Sequence, residues 1–131
     1  MNREIIATDR APAAVGPYSQ GVRVDGLVFT AGQIALDPAT GQLVEGGIEA
    51  QTRQSLANLQ AILEAAGSSL ADVIKVTVFL IDWTEFKAMN GIYAQFFPDS
   101  PPARSGAQVG ALPLGARVEI EAIAQTSRPL A

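Results

Sequence analysis

The spacing of apolar and polar residues predicts short strands towards both ends of the chain, with helical segments between them. Near the start, three segments have the apolar, β-branched content of strands: Ile5–Ala7, Gln20–Val24 and Leu27–Ala31. Asp25-Gly26, between the second and the third, is a strong signal for a two-residue hairpin. The Pro- and Gly-containing stretches Ala11–Pro17 and Asp37–Gly41 predict irregular structure and a turn.

A helical period replaces this pattern from Ile48 to Ala66. The stripe that it predicts to be buried contains Thr52, Leu56, Leu59, Leu63 and Ala66. Gly67 is placed to end the helix as a C-terminal cap. A second helix is predicted to be capped by Asp82 or Thr84 and to end before Pro98. Its apolar side contains Phe86, Met89, Tyr93, Phe96 and Phe97.

Three further strands complete the predicted order: Val73–Ile81, Ala103–Val109 and Arg117–Gln125. The first of them has an apolar face with Ile74, Val76, Val78 and Leu80. Its other face is mixed and carries Lys75, Thr77, Phe79 and Ile81. This order predicts a single α+β domain over residues 1–131, in which two helices cover one face of a mixed sheet. The other face needs a partner, and burial against neighbouring subunits in a closed ring is the simplest arrangement.

Composition narrows the chemistry available to this domain. The sequence contains no cysteine and no histidine, which excludes disulfides, thiol nucleophiles, imidazole bases and the common zinc sites. The net charge is −4 and the 9 basic residues are scattered, so nucleic acid is not expected as a partner. The N-terminal residues lack the apolar core of a signal peptide, and no apolar run is long enough for a membrane helix. A cytoplasmic protein is therefore expected.

Arg104 is the first candidate for binding chemistry. It follows Pro101–Ala103 and precedes Ser105-Gly106, so its backbone is constrained while its side chain can reach a cleft. A guanidinium group holds a carboxylate with two parallel hydrogen bonds. The alternative is a surface arginine paired with a nearby carboxylate.

Glu119 and Glu121 are candidates for proton transfer. They alternate with apolar residues and therefore share one face of the last predicted strand. Crowding of two carboxyl groups can raise the pKa of one of them, which suits proton transfer near neutral pH. The alternatives are a solvated sheet edge or an ion pair with Arg117.

Four more residues can serve a ligand or only the fold. The Tyr18 hydroxyl can orient a ligand, or its ring can cover the edge of the core. Gly32 and Gly106 expose backbone amides and allow close approach, but glycine most often serves a turn. Asn90 follows the apolar stripe of the second helix and is expected to face solvent rather than a cleft.

Taken together, five segments in order resemble the RidA/YjgF family: Ala11–Gly21, Thr30–Ile34, Gln54–Leu59, Pro102–Ser105 and Val118–Ala122. The resemblance extends from about Ile5 to Gln125. It is specific for the family and much less specific for a substrate. It implies a chorismate-mutase-like (YjgF/RidA) fold and a homotrimer, with an inner β-barrel and clefts between subunits.

The resemblance also implies an activity and its residues. Family members convert 2-imino and 2-enamino acids, such as 2-aminoacrylate and 2-iminobutanoate, to 2-oxo acids and ammonia without a cofactor or metal. By this resemblance Arg104 and the Gly32 amide bind the substrate carboxylate, and Glu119 activates the attacking water. Tyr18 closes the site from the neighbouring chain. The remaining residues expected to line the substrate cleft are Ala31, Asn90, Ser105 and Gly106.

Two positions depart from many close family members. Gly106 stands where cysteine is common, and Ala31 stands where serine is common. The first change is expected to enlarge the cleft and to remove a ligand contact. The second removes a hydroxyl near the carboxylate site. Substrate preference is therefore less defined by the sequence than reaction type.

Three other functions stay open. One is small-molecule binding or chaperone-like protection without turnover, which Arg104 fits equally well, whereas Glu119 favours turnover. Another is endoribonuclease activity, which is linked to family names. The acidic charge, the scattered basic residues and the lack of histidine weigh against it. The third is a role beside an enzyme of one metabolic pathway, which no residue identifies.

Overall fold

The computed structural model describes residues 2–126 of the 131-residue chain. The strands are β1 (Arg3–Ile6), β2 (Gly21–Val24), β3 (Leu27–Thr30), β4 (Val73–Leu80), β5 (Ala103–Gln108) and β6 (Val118–Gln125). The helices are α1 (Gly47–Ala65) and α2 (Phe86–Phe96), and short 3-10 turns lie at Leu70–Asp72, Trp83–Glu85 and Pro113–Gly115. The α+β class is therefore confirmed. None of the helices in residues 2–126 is long and apolar enough to cross a membrane.

All six strands belong to one sheet with the order β1-β2-β3-β6-β4-β5. The β4–β5 pair is parallel and the other pairs are antiparallel, so the sheet is mixed, as predicted. The predicted hairpin joins β2 to β3, because Asp25 and Gly26 both adopt positive φ angles, 49° and 81°. This conformation matches the twist of the two strands and places Val24 opposite Leu27.

Both helices cover the same face of the sheet and enclose the core with it. The predicted stripe of α1 is buried, and its leucines pack with the inward-facing residues of β4 and β6, such as Val76, Val78 and Ile120. Gly67 ends the helix with φ 78°, as predicted. Its N–H donates to the Glu64 carbonyl at 3.1 Å. This is the bonding expected at a glycine-capped helix end.

Before α2, Asp82 rather than Thr84 is the capping residue. Its Oδ1 accepts hydrogen bonds from the N–H of Thr84 at 2.9 Å and from the Thr84 hydroxyl at 2.6 Å. The chain makes one 3-10 turn at Trp83–Glu85 and then enters α2. The sequence therefore predicted the start of this helical segment but not the change of helix type.

The predicted apolar face of β4 is wrong at its first residue. Ile74 is 44% exposed, whereas its neighbour Val73 is buried. The pairing with β6 shifts between Val73 and Lys75, which is a bulge, and the extra residue is turned outwards. Beyond the bulge the alternation holds, and Val76, Val78 and Leu80 are buried.

Within residues 2–126, the other face of the sheet carries no helix. Following β3, β4 and β6, it presents Phe29, Thr77, Phe79, Glu119, Glu121 and Ile123, which are half-buried or exposed. We call this the open face. It is the mixed face of β4 that the sequence predicted to lie away from the helices.

Candidate active site

Arg104 extends from the edge strand β5 onto the helix-covered face of the sheet. Its register opposite Val76, which is buried, sets this direction. The guanidinium carbon lies 5.4 Å from the ring centroid of Phe86 and 4.6 Å from that of Tyr93, both in α2. Aromatic faces attract a guanidinium cation while leaving its edge N–H groups free for another acceptor.

The charge of Arg104 is not neutralised within the described chain. Residues 2–126 form ion pairs between Arg10 and Glu64 and between Arg117 and Glu85, and Arg104 takes part in neither. The alternative interpretation of Arg104 as a surface arginine paired with a carboxylate is therefore wrong. A half-buried, unpaired cation on an aromatic support is suited to binding an anion.

A cavity of about 400 Å³, which we call the Arg104 pocket, lies beside this guanidinium. It is lined by Asn90, Tyr93, Ala94, Phe97, Pro101, Pro102 and Arg104. The Tyr93 side chain is buried, and its hydroxyl has no hydrogen-bond partner in residues 2–126. Burial raises the pKa of the Tyr93 phenol, and the positive charge of Arg104 partly opposes this. The pocket thus offers a cation, an amide and a phenol to a small ligand.

Asn90 is half-buried and lines the Arg104 pocket. The expectation from its helical position, that it faces solvent, is therefore wrong. Its placement agrees with what the family resemblance implied.

Glu119 and Gly32 form a second cluster, on the open face. A Cβ added at Gly32 would lie 2.8 Å from Cδ of Glu119 and 2.9 Å from its Oε2. Burial, and secondarily the charge of Glu121, raise the pKa of the Glu119 carboxyl. The alternative of an ion pair with Arg117 is wrong, because the Arg117 guanidinium binds both carboxylate oxygens of Glu85 at 2.7 to 3.0 Å.

A bulge beside β6 places Gly32 against Glu119. Phe29 pairs with Ile123, and the next bridge joins Gln33 to Ile120. Three residues, 30–32, therefore lie opposite only two, 121–122, and this extra residue makes the bulge. In this bulge the Gly32 N–H donates to no other residue in 2–126, whereas the Gln33 N–H donates to the Ile120 carbonyl at 2.8 Å. A free backbone donor therefore lies beside a carboxyl group of raised pKa.

Two buried polar residues of α1 hold the segment that follows Gly32. The Ser55 hydroxyl donates to the Gln33 carbonyl at 2.6 Å. The Asn58 amide donates to the carbonyls of Ile34 and Leu36 at 3.2 and 2.9 Å. Sequence reasoning did not identify Ser55 or Asn58 as functional. The signal was present, because both are polar residues on the side of α1 that the apolar period assigns to the core.

Tyr18 lies apart from both clusters. It belongs to an irregular segment, is 52% exposed, and lines two open cavities whose walls include neither Arg104 nor Glu119. Buried Gln20 fixes the start of this segment, since its Oε1 accepts from the Thr8 N–H at 2.7 Å and its Nε2 donates to the Pro12 carbonyl at 2.7 Å. Gln20 is a third residue, after Ser55 and Asn58, that the sequence analysis did not single out.

The remaining predicted residues divide between the two sides of the sheet. Ser105 points to the open face, where its hydroxyl lies 3.1 Å from Nζ of Lys75. Ala31 lies in the bulge, and its N–H donates to the carbonyl of Gln20 at 2.8 Å. At Gly106, an added Cβ would lie 3.2 Å from Cη2 of Trp83, so the indole lies beside the space that a larger side chain would use.

One chain therefore brings Arg104 together with Asn90, and Glu119 together with Gly32, but does not unite these pairs. Arg104 lies on the helix-covered face and Glu119 on the open face. Each cluster holds part of what an acid-base reaction on a carboxylate substrate requires.

Comparison with known proteins gives this geometry a context. The family model described as "Endoribonuclease L-PSP" matches residues 8–126. The chain is 53% identical over 122 residues to the Capra hircus protein named 2-iminobutanoate/2-iminopropanoate deaminase, covering 93% of this chain and 89% of that protein. E. coli TdcF with bound serine is 47% identical with a TM-score of 0.91, covering 95% of this chain and 99% of that one. The E. coli YjgF gene product is 45% identical with a TM-score of 0.90, covering 95% and 99%.

Proposed function

Because this chain belongs to the RidA/YjgF family, which the endoribonuclease L-PSP family model describes, we propose that it is an imine deaminase. Its substrates are 2-imino and 2-enamino acids such as 2-iminobutanoate and 2-aminoacrylate, and its products are 2-oxo acids and ammonia. The observation that carries the proposal is the half-buried, unpaired guanidinium of Arg104 beside a cavity of about 400 Å³. The serine bound to TdcF has the carboxylate that such an anchor would hold.

The proposed reaction uses one positioned water and one carboxylate. Arg104 binds the substrate carboxylate, and the free N–H of Gly32 donates a further hydrogen bond to it. A 2-enamino acid first tautomerises to the imine by gaining a proton on C3 and losing one from nitrogen. Glu119 takes a proton from water while the water oxygen bonds to the imine carbon, and the proton is passed to the nitrogen. The resulting carbinolamine releases ammonia and leaves the 2-oxo acid. An imine carbon is already electrophilic, so holding water and substrate in place supplies most of the rate increase.

In this proposal, the complete site lies between two chains of a homotrimer. Arg104 and Glu119 of one chain lie on opposite faces of the sheet, so a single small substrate reaches both only if they come from different chains. Tyr18 of a neighbouring chain closes the site. The open face, with exposed Phe29 and half-buried Phe79, supplies apolar area for such an assembly.

The activity is tested by generating 2-aminoacrylate with a serine dehydratase and following loss of the imine with and without this protein. We expect acceleration, and we expect Arg104→Ala to lower kcat/KM about 100-fold or more, because the charged anchor is lost. Arg53→Ala is the matched control, since Arg53 is exposed and its side chain bonds only Gln95 among the described residues. Absence of acceleration by the wild-type protein at micromolar concentration contradicts the proposal.

Mixing two inactive variants tests the assembly. If each site takes Arg104 and Glu119 from different chains, random trimers of Arg104→Ala and Glu119→Ala chains regain roughly a quarter of the intact sites. If both residues of a site come from one chain, mixing restores nothing. Sedimentation of each variant shows whether the trimer itself has formed.

Turnover is also what separates this proposal from binding without chemistry. Glu119→Gln keeps the shape of the side chain and removes the base. We expect it to leave the Kd of 2-oxobutanoate nearly unchanged while lowering kcat about 100-fold or more. An unchanged kcat would favour a binding or chaperone-like role.

A further inference from the structure

An aromatic cluster surrounds the carboxylate anchor and extends beyond the Arg104 pocket. We define it as Trp83, Phe86, Tyr93 and Phe97. The rings of Trp83 and Phe86 are stacked, with centroids 4.8 Å apart and planes at 22°, and those of Tyr93 and Phe97 lie 4.7 Å apart. Arg104 lies over one ring of each pair. Tyr93 and Phe97 line the Arg104 pocket, whereas Trp83 and Phe86 do not, so the aromatic support of the guanidinium extends beyond the pocket itself.

The indole of Trp83 lies so close to Gly106 that a side chain added at position 106 would press against it. A Cβ on Gly106 would lie 3.2 Å from Trp83 Cη2 and 3.4 Å from the carbonyl oxygen of Val78. Gly106 is two residues from Arg104 and points to the same face of β5. Because the Val78 carbonyl belongs to the sheet, only the indole can yield to a side chain added there.

Trp83 is also fixed through its backbone. Its N–H donates to Oε1 of Gln108 at 2.7 Å. Three alternate residues of β5 thus lie against the same helical segment. Gln108 bonds the backbone of Trp83, Gly106 leaves room for the Trp83 ring, and Arg104 lies over Phe86. Trp83 is 42% exposed, so the position of its indole depends on stacking with Phe86, on the backbone bond to Gln108 and on the absence of a side chain at position 106.

We propose that Trp83 is a positioning residue for the carboxylate anchor, and that glycine at position 106 is what allows its indole to support Phe86 against Arg104. The role of the anchor in catalysis rests on the function proposed above. Trp83 does not touch the substrate. It acts by keeping the guanidinium on its aromatic support, with its edge N–H groups directed at an incoming carboxylate. Its loss therefore affects carboxylate affinity, and chemistry at the imine carbon does not change.

The first test separates binding from chemistry. We expect Trp83→Ala to raise both the KM for the imine and the Kd of 2-oxobutanoate, measured by calorimetry, about fivefold, with kcat within about twofold of wild type. Trp83→Phe keeps a stacking ring and should keep both constants within about twofold of wild type. A lowered kcat at unchanged KM, or an unchanged Kd in Trp83→Ala, overturns the proposal.

A double-mutant cycle tests the dependence on Gly106. Gly106→Ala should raise Kd in the wild-type background, because the methyl group displaces the indole. In the Trp83→Ala background the same change should have no further effect, since the displaced atoms are gone. Gly110→Ala is the control, because nothing lies within 4 Å of a Cβ added there. Equal effects of Gly106→Ala in both backgrounds contradict the proposal.

The sequence contains one tryptophan, so intrinsic fluorescence reports on this position alone. Titration of the wild-type protein with 2-oxobutanoate should shift the emission of Trp83, and Arg104→Ala should abolish the shift. A Trp83-dependent Kd without imine turnover retains this proposal and rejects the deaminase function. Turnover that is insensitive to Trp83→Ala retains the deaminase function and rejects the role of Trp83. If the wild-type protein neither binds the carboxylate nor turns over the imine, both proposals are rejected.

Discussion

Gly32 lies directly against the carboxyl group of Glu119, on the open face of the sheet. A methyl group at Gly32 would lie within 2.9 Å of three Glu119 side-chain atoms, so Gly32→Ala must displace that side chain. We expect kcat to fall about 100-fold, because a shift of about 1 Å misplaces the base. Because the atoms that must move belong to the end of a flexible side chain, the free energy of unfolding should change by less than about 1 kcal/mol. Steady-state kinetics and urea unfolding measure the two effects.

Gly110→Ala is again the control, since the added methyl group meets no atom within 4 Å. It should change neither quantity appreciably. Normal kcat in Gly32→Ala would show that the position of Glu119 is not important for turnover.

The raised pKa of Glu119 makes stability depend on pH. Folding raises this pKa from its ordinary value of 4.5, so the folded state favours the protonated carboxyl. The resulting stabilisation is fully present below pH 4.5 and is lost as pH rises through the raised pKa. Glu119→Gln removes the charge, so we expect it to be more stable than wild type near about pH 7 and equal to it near about pH 4. Thermal unfolding across this range is the measurement.

Glu121→Gln provides the comparison for this pH dependence. It removes the secondary cause of the raised pKa but leaves burial in place, so the transition should move to lower pH without vanishing. A Glu119→Gln protein that is less stable than wild type at both pH values contradicts the assignment.

Asn58 should prove important for both stability and turnover. Its amide is buried and satisfies the carbonyls of Ile34 and Leu36, which follow the Gly32 bulge. Asn58→Ala removes the partner of the Leu36 carbonyl and leaves the Ile34 carbonyl with only the Leu36 N–H at 2.9 Å, so we expect a loss of about 1–3 kcal/mol in the free energy of unfolding and a lower kcat. Gln54→Ala removes only a bond to Asn58 itself and should cost less than about 0.5 kcal/mol. Equal losses in the two variants would show that Asn58 does not anchor this segment.

Two variants of Tyr93 distinguish the aromatic support that its ring gives Arg104 from any hydrogen bonding by its hydroxyl group. Its buried hydroxyl makes no hydrogen bond of good geometry within residues 2–126 but interacts electrostatically with Arg104, so Tyr93→Phe should change the free energy of unfolding by less than about 1 kcal/mol. The ring under Arg104 remains, and we expect the Kd of 2-oxobutanoate to stay within about threefold of wild type. Tyr93→Leu removes the aromatic face and should weaken binding about fivefold. Equal affinity in the two variants would argue against an aromatic support.

Local signals in the sequence predicted most of the elements, because they depend on a few neighbouring residues. Asp25-Gly26 fixes the hairpin, Gly67 ends α1 and Asp82 starts the segment before α2. The exposure of Ile74 follows from a bulge, which depends on how β4 pairs with β6. No local pattern encodes that pairing.

The site was predictable in its residue types but not in its arrangement. The residue pattern made Arg104 and Glu119 candidates and the family resemblance implied their roles, yet their separation depends on the register of β5 and β6 against β4. Likewise, the contact of Trp83 with Gly106 joins residues from two elements and leaves no periodic signal in either. Such contacts depend on how segments that are distant in the sequence pack together, and not on neighbouring residues.

The central place of β6 also governs how this protein must be made. Val118–Gln125 joins β3 on one side to β4 on the other, although it follows every other described strand in sequence. A nascent chain that has not yet released β6 from the ribosome holds two separate half-sheets, each with an unpaired edge open to aggregation. Glu119 contacts Gly32 only after β6 has been synthesised and has paired with its neighbours. Incomplete chains are therefore expected to be prone to aggregation and to lack the Glu119 cluster.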